Sequence, residues 1–387
     1  MSVHYRYLQK PVLKFSSRLF RNDGGSFTDV TEAAGILSYG FCLGVTTSDL
    51  NSDGWPDIFL SVDHEEPDIV FFNNGDGTFT NKAKTALHSI SRSSMGIDAG
   101  DVNHDLYPDV VVVEMLSEDH LREKVQMSMQ SVDRFQYLVD SMGYQYYQMR
   151  NFLHLNNGNE TFSDIGQMAG IHKTDWSWSA FFFDADNDSW QDLYVSNGYY
   201  RDIYNNDLFK PFDQKMRALN SMEERNKLAS EYARSCPQTK IPNYLFLNTG
   251  TLHFENATTA AGLHKPTIST GGAYGDLDND GDLDLVINNL GEASLLYENK
   301  GGTGNHFLRV KFETTAGVAS LGGKVILEND GDVQLREVLT TRGYQASCEP
   351  FAHFGLGKAS VADKLQIVWP DGKVQVLENV PADQTIL

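Results

Sequence analysis

The residues most suited to chemistry in this sequence are acidic, and they recur in four nine-residue segments. We name these segments loops 1 to 4; they span residues 49–57, 101–109, 184–192 and 276–284. Each has an oxygen-bearing side chain at positions one, three, five and nine. A hard dication such as Ca²⁺ prefers six to eight oxygen ligands at about 2.3–2.6 Å, and a tight loop with alternate residues turned inward can supply them. The spacing therefore predicts a Ca²⁺ site in every loop. Mg²⁺ fits less well because it gives up water reluctantly.

The predicted ligands are side-chain oxygens, completed at position seven by a backbone carbonyl. They are Asp49, Asn51, Asp53, Trp55 and Asp57 in loop 1; Asp101, Asn103, Asp105, Tyr107 and Asp109 in loop 2; Asp184, Asp186, Asp188, Trp190 and Asp192 in loop 3; and Asp276, Asp278, Asp280, Asp282 and Asp284 in loop 4. Position six is Gly in loops 1 and 4 but Leu106 and Ser189 in the others. Gly adopts a left-handed turn without steric cost. We therefore expect loop 2 to bind most weakly and loop 4 most tightly.

An EF-hand is the first alternative for such loops. The residue at position twelve, counted from the first residue of each loop and therefore three residues beyond its end, argues against it. An EF-hand has a bidentate Glu there and is flanked by helices. This sequence instead has Leu60, Val112, Val195 and Ile287 at position twelve, each within an apolar run typical of a strand. The loops are therefore predicted to join two β-strands.

A second repeated phrase alternates with the loops. It has the form of an apolar run, then Asn, a Gly turn and an aromatic residue, and copies of it contain Asn22, Asn73, Asn156, Asn248 and Asn299. Asn-Gly and Asp-Gly steps between aromatic runs indicate hairpin turns. Each unit then has four strands, which is the pattern of a β-propeller blade. We predict an all-β fold with about four to five blade repeats over residues 1–302, forming an open arc or a small ring.

Two insertions interrupt the repeats, because successive loops begin 52, 83 and 92 residues apart. They cover about residues 115–151 and 199–242. The first is predicted to contain a helix capped by Ser117, and the second a helix over 214–234 that ends before Pro237. Both are rich in Met and Tyr. Packing against the propeller and a partner or ligand surface are both open explanations.

The composition is strongly acidic, with 52 acidic and 31 basic residues and a formal charge of −21. Fourteen of the acidic residues are Asp at loop positions one, three, five and nine. Four bound Ca²⁺ ions would add eight positive charges and change the formal net charge from −21 to −13. This balance argues against nucleic acid, whose phosphates require Lys and Arg. The three cysteines do not form a disulfide framework. No apolar run reaches the roughly 20 residues of a transmembrane helix.

The pattern changes after the Gly-rich segment 300–305. Alternating strands with turns at Asn329-Asp-Gly331 and Pro370-Asp-Gly372 predict a small β-sandwich over residues 305–387. His353-Phe-Gly-Leu-Gly357 and Val368-Trp-Pro-Asp-Gly372 resemble the ASPIC/UnbV domain, and the two repeated phrases resemble FG-GAP/VCBS repeats. Together the chain is similar to the cartilage acidic protein family and its bacterial relatives, notably those of Bacteroidetes type.

This resemblance implies a secreted or surface-attached, calcium-binding, non-enzymatic protein. The N-terminus does not have the form of a signal peptide. We therefore interpret the sequence as a portion of a longer protein whose export signal lies upstream.

Catalytic motifs such as HExxH, GxSxG and GxGxxG are not found in the sequence. His353 is interpreted as a packing residue rather than a base, and Arg342 with Glu349 as a candidate carboxylate or sugar site. The leading hypothesis is a module for adhesion or for recognition of a protein or glycan partner, with structural Ca²⁺. The alternatives are a carbohydrate-active enzyme with its site under the insertions, and a passive scaffold.

Overall fold

The computed structural model describes residues 14, 16–64, 66–126, 131–302, 304–313 and 321–387. The described part of the chain contains a hairpin near its start and then four antiparallel sheets, which we call blades 1 to 4. The hairpin has strands Phe20–Asn22 and Phe27–Asp29, and blade 1 has strands Phe41–Ser48, Asp57–Asp63, Ile69–Asn73 and Phe79–Asn81. Blade 2 has strands Ile97–Gly100, Asp109–Val112, Phe152–Asn156 and Phe162–Asp164.

Blades 3 and 4 depart from four strands. Blade 3 gains a short extra strand and contains Met115–Leu116, Asp175–Phe183, Asp192–Asn197, Tyr244–Asn248 and Phe254–Asn256. Blade 4 has three strands, Ser269–Gly275, Asp284–Asn289 and Leu295–Tyr297. The first long strands of neighbouring blades contact one another, so they line the inner side of a propeller arc. The fold class predicted from the sequence is confirmed.

Alternating side chains hold the blades together. In the second strand of blade 2, Val110 and Val112 face the core shared with blade 1, whereas Val111 faces the core shared with blade 3. Successive side chains of a strand point to opposite faces, so a strand buried on both sides reads as a continuous apolar run. Similar cores join blades 3 and 4, and the hairpin to blade 1.

The first insertion combines strand and helix. Its segments are Met115–Leu116, His120–Gln126, Val132–Gln136, a π-helical turn Tyr137–Ser141 and Tyr146–Gln148, which pairs with Ser89–Ser91. The predicted cap at Ser117 is wrong. The Arg122 amide donates to Asp119 Oδ1 at 2.8 Å, so Asp119 caps the helix, because residues 115–116 are held as a strand on blade 3.

The second insertion contains two helices, Asn206–Ala218 and Met222–Ser235, where the sequence analysis expected one. Ser221 divides them because its hydroxyl accepts from the Glu224 amide as a new N-cap. The end before Pro237 is as predicted. Arg122 of the first insertion binds Asp175 of blade 3 at 2.6 Å and Asp202 of the second insertion at 3.0 Å. Both insertions are thereby fixed to blade 3.

The Met and Tyr side chains described in the first insertion mostly serve packing. Tyr147 and Met149 are buried, and Met142 and Tyr144 pack on the core between blades 1 and 2, while Tyr146 is exposed. The packing explanation therefore accounts for most of them. A further short helix, Ala83–Ala86, contributes to the same core. None of the helices described is both long and apolar enough to span a membrane.

The C-terminal region is a two-sheet sandwich with its own core. One sheet contains Ala352–Gly357, His306–Val310 and Gln384–Ile386; the other contains Asp332–Glu337, Lys324–Asn329, Val361–Val368 and Val374–Pro381. Along the chain, a small hairpin follows strand Asp332–Glu337 and precedes strand Ala352–Gly357. Its strands are Thr341–Arg342 and Ala346–Ser347, and we call it the central hairpin. The three cysteines are free, and Cys236 and Cys348 are buried.

The central hairpin lies against the inner strands of the arc. Gly343 and Ile97 exchange backbone hydrogen bonds of 3.0 and 3.4 Å, and the Tyr344 amide donates to Ser179 Oγ at 3.1 Å. Arg342 Nη1 lies 2.8 Å from both carboxylate oxygens of Asp98, which is fully buried. The sandwich is thus seated on the propeller arc rather than following it as a separate unit.

Candidate functional site

Each of loops 1 to 4 joins the inner strand of a blade to the next strand, as the sequence predicted. The residues at position twelve, Leu60, Val112, Val195 and Ile287, all lie in that second strand. The geometry is strand–loop–strand and excludes an EF-hand.

The Asp at position one closes the turn of every loop in the same way. Its Oδ1 accepts the amide of position five and its Oδ2 accepts the amide of position six. In loop 1 these amides belong to Asp53 at 3.0 Å and Gly54 at 2.7 Å. The same two bonds recur in loops 2, 3 and 4. One carboxylate therefore sets the curvature that turns positions three and five toward it.

The turn requires a left-handed backbone at position six in all four loops. The φ angles there are 91° at Gly54, 70° at Leu106, 92° at Ser189 and 96° at Gly281. A left-handed conformation costs a residue with a side chain about 1–2 kcal/mol. Loops 2 and 3 therefore carry a steric cost at position six that loops 1 and 4 do not, and the ranking of the loops by affinity stays a prediction.

The Asp at position nine fastens the loop to its blade. In blade 3, Asp192 Oδ2 accepts the Ala185 amide at 2.8 Å and its Oδ1 accepts the Asn248 amide at 2.8 Å. Asp57, Asp109 and Asp284 make the equivalent pairs of bonds. Both oxygens of this Asp therefore have a structural role, whether or not it also binds an ion.

The Asn of the second repeated phrase joins successive blades, which the sequence analysis did not foresee. Asn248 Nδ2 donates to Gln191 O in its own loop at 3.2 Å and to Val102 O in the preceding loop at 2.8 Å. Asn156 and Asn299 donate across blades in the same manner. The signal was present in the sequence, because the Asn recurs at one place in each repeat.

The acidic side chains of loops 3 and 4 are clustered closely enough that they could hold a metal ion. One oxygen each from Asp184, Asp186 and Asp188 can be chosen so that all lie within 4.8 Å of one another, and Asp276, Asp278 and Asp280 form the same kind of cluster. Burial raises the pKa of Asp184 to about 7, and burial together with neighbouring Asp186 raises the pKa of Asp188 to about 6. The carboxylates within each cluster repel one another, and a bound cation would relieve that repulsion.

Loops 1 and 2 have Asn at position three, and there the amide nitrogen bonds the Asp at position five. In loop 2 this leaves Asn103 Oδ1 buried, without a hydrogen-bond partner among the residues that the structure describes. A buried carbonyl oxygen without a partner costs about 1–3 kcal/mol. The donor set consists of oxygens throughout, so the residues present fit Ca²⁺, which would be held by the predicted positions one, three, five and nine with the position-seven carbonyl.

The structure also places two other candidate sites from the sequence, and their outcomes differ. His353 is buried and its Nε2 lies 2.7 Å from Asn187 Oδ1 in loop 3, so it packs and hydrogen-bonds as expected, but across to a blade. Arg342 and Glu349 are not brought together. Arg342 pairs with Asp98, whereas Glu349 lies 3.3 Å from Lys311, so the suggested carboxylate or sugar site is wrong.

Comparisons with known proteins find a matching family model in the blades and another in the C-terminal sandwich. Residues 49–112 and 141–195 match a family model described as FG-GAP-like repeat, and residues 314–387 match one described as ASPIC and UnbV. Cartilage acidic protein 1 from Homo sapiens is 27% identical over 361 residues, covering 92% of this chain and 45% of that protein. The Xenopus tropicalis protein of the same name is 27% identical, covering 90% and 44%. The chain thus spans less than half the length of these relatives.

Solved structures show more distant likeness. A lectin from Agrocybe aegerita that recognises non-reducing terminal N-acetylglucosamine aligns with a TM-score of 0.34 and 14% identity, covering 94% of this chain and 74% of its own. The Vibrio cholerae biofilm matrix protein Bap1 aligns with a TM-score of 0.34 and 10% identity, covering 95% and 53%.

Proposed function

Because the chain belongs to the FG-GAP-repeat proteins with a C-terminal ASPIC/UnbV domain, we propose that it is a calcium-binding extracellular module for adhesion or partner recognition. One observation supports calcium binding above all. Four loops repeat the same turn, and in loops 3 and 4 the carboxylates at positions one, three and five lie close enough together to share one ion. Repeated carboxylate clusters are destabilising unless a cation compensates them.

The role proposed for Ca²⁺ is structural. Each loop lies between the two innermost strands of a blade, and the bound ion would supply a counter-charge that keeps the turn closed. Binding to the folded state alone stabilises it by RT ln(1 + [L]/Kd), which is about 2.7 kcal/mol per site at 100 times Kd. Strand–loop–strand sites of moderate affinity fit the roughly millimolar Ca²⁺ range of extracellular modules.

The experiment is thermal unfolding of the metal-stripped chain with added Ca²⁺ or Mg²⁺, combined with mass spectrometry of bound metal. We expect Ca²⁺ to raise the melting temperature markedly, EDTA to lower it, and Mg²⁺ to restore little. An unchanged melting curve in a metal-free sample would contradict the proposal.

Recognition is supported by family membership, and it is tested separately. The Ca²⁺-loaded chain would be screened against immobilised matrix proteins and a glycan array, with EDTA-treated chain as control. Saturable binding without turnover supports the proposal. Hydrolysis of a glycan would support instead the carbohydrate-active alternative.

A further inference from the structure

The C-terminal sandwich contacts all four loops. At loop 1, Lys324 binds Asp49 Oδ2, and Glu337 accepts from the Asp49 amide at 3.1 Å. At loop 2, His104 Nδ1 lies 2.9 Å from Asp332 Oδ1. The same surface that carries the predicted cation sites is thus covered by one domain of the chain.

Loop 3 is the most extensively contacted. The Gly355 amide donates to Asp184 Oδ2 at 3.0 Å and the Gly357 amide donates to Asn187 O at 2.9 Å. Arg336 donates to Ser189 O at 3.0 Å. A Cβ on Gly355 would lie 2.2 Å from Asp184 Oδ2, so the approach is as close as glycine allows.

The position-one carboxylate is shared in three of the loops. In loops 1, 3 and 4 its Oδ2 accepts the position-six amide and also one donor from the sandwich, which is Lys324, the Gly355 amide or Arg309. Its Oδ1 accepts the position-five amide. The sandwich therefore adds its donor at Oδ2 and makes none of these bonds to Oδ1.

Three of these contacts use backbone groups of the loops rather than their charged side chains. These are the Asp49 amide and the carbonyls of Asn187 and Ser189, whose positions depend on the path of the loop backbone. A dication would also leave loops 1, 3 and 4 with net negative charge, since they hold three, four and four Asp at the ligand positions. Lys324 and Arg309 would still be attracted to the loaded loops.

We propose that the four loops are the docking surface of the sandwich, and that their occupation by Ca²⁺ stabilises docking. This inference rests on the proposed function, namely that the loops bind Ca²⁺. An ion that closes the loops favours docking, and docking favours the closed loops, so the coupling is reciprocal.

Amide hydrogen exchange followed by NMR tests the inference in the whole chain. The amides of Gly355 and Gly357 report docking directly, because their acceptors belong to loop 3. Amides paired between strands Val361–Val368 and Val374–Pro381 report the folding of the sandwich itself. With Ca²⁺ removed, we expect exchange at residues 355 and 357 to accelerate at least about tenfold while the reference amides stay protected.

Two variants that each remove one positive charge complete the exchange experiment. Lys324→Met removes a contact to loop 1 and should accelerate exchange at residues 355 and 357 in Ca²⁺. Lys364→Met removes a cation paired with Glu328 at 2.6 Å in the same sandwich and should not.

The outcomes separate the two proposals. Absence of Ca²⁺ binding by calorimetry would overturn the proposed function. Ca²⁺ binding without a change in exchange at residues 355 and 357 would overturn the docking inference alone. Equal loss of protection at the reference amides would also overturn it, because the domain would then be unfolding rather than undocking.

Discussion

Gly54→Ala offers a direct test of loop 1. Gly54 holds position six with φ 91°, and an added Cβ would meet no atom within 4 Å. The substitution therefore changes the backbone preference and little else. The left-handed region costs alanine about 1–2 kcal/mol, partly offset by about 0.4–1 kcal/mol of reduced freedom in the unfolded chain. We expect the free energy of unfolding to fall by about 1 kcal/mol.

The same strain should weaken Ca²⁺ binding at loop 1. The metal-free loop can relax its turn under carboxylate repulsion, whereas the loaded loop must keep position six left-handed. A cost of about 1 kcal/mol corresponds to roughly a fivefold loss of affinity. The amide resonance of residue 54 during a Ca²⁺ titration reports loop 1, and the amide of Gly281 reports loop 4 as an internal reference.

Gly77→Ala is the matched control. Gly77 lies in a turn of the same blade with φ 86°, and its added Cβ would also meet no atom within 4 Å. It should lower stability by a similar amount without changing the Ca²⁺ titration at residue 54. Equal Ca²⁺ affinity in the parent chain and both variants would refute the reasoning that this turn forms a cation site.

Three further substitutions probe the fold around the loops. Asp68→Asn should reduce the loss of stability at rising pH: burial raises the pKa of Asp68 to about 7, above its value in the unfolded chain, so this carboxyl contributes a loss of stability as pH rises from about 4 to 7. The variant lacks that contribution and should be the more stable at pH 8 by urea unfolding. Asn248→Ala should lower the free energy of unfolding by about 1 kcal/mol more than Asn73→Ala, and should therefore give the lower melting temperature. The reason is that the Asn248 side-chain amide joins two blades, whereas the Asn73 side-chain amide donates to Pro56 of its own blade. Equal effects would contradict the role of Asn248 as a joint between blades. Arg342→Met should destabilise by about 3–5 kcal/mol, since it leaves Asp98 buried without its cation, and adding Asp98→Leu should recover part of that loss in the same denaturation assay.

Much of the candidate site could be predicted because it is local. The carboxylates at positions one and five bond amides of their own loop, so the spacing along the chain determines the turn. The residue at position twelve excluded an EF-hand by equally local information, because Leu60 belongs to the strand that directly follows loop 1. The helix predicted in the first insertion shows the limit. Ser117 has the right residue type for a cap, but the two residues before it pair with a strand of blade 3.

The sequence by itself determined the four loops, the strand pairs around them and the acidic charge that a cation would balance. Only the tertiary structure decided what lies on the loops. Arg342 reaches Asp98 across 244 positions, and the Gly355 amide reaches Asp184 across 171. Such contacts depend on how two folded units are oriented, and a repeat pattern carries no information about that orientation. The Asp at position one shows both levels, because one oxygen completes a turn that the sequence encodes and the other receives a donor that folding brings to it.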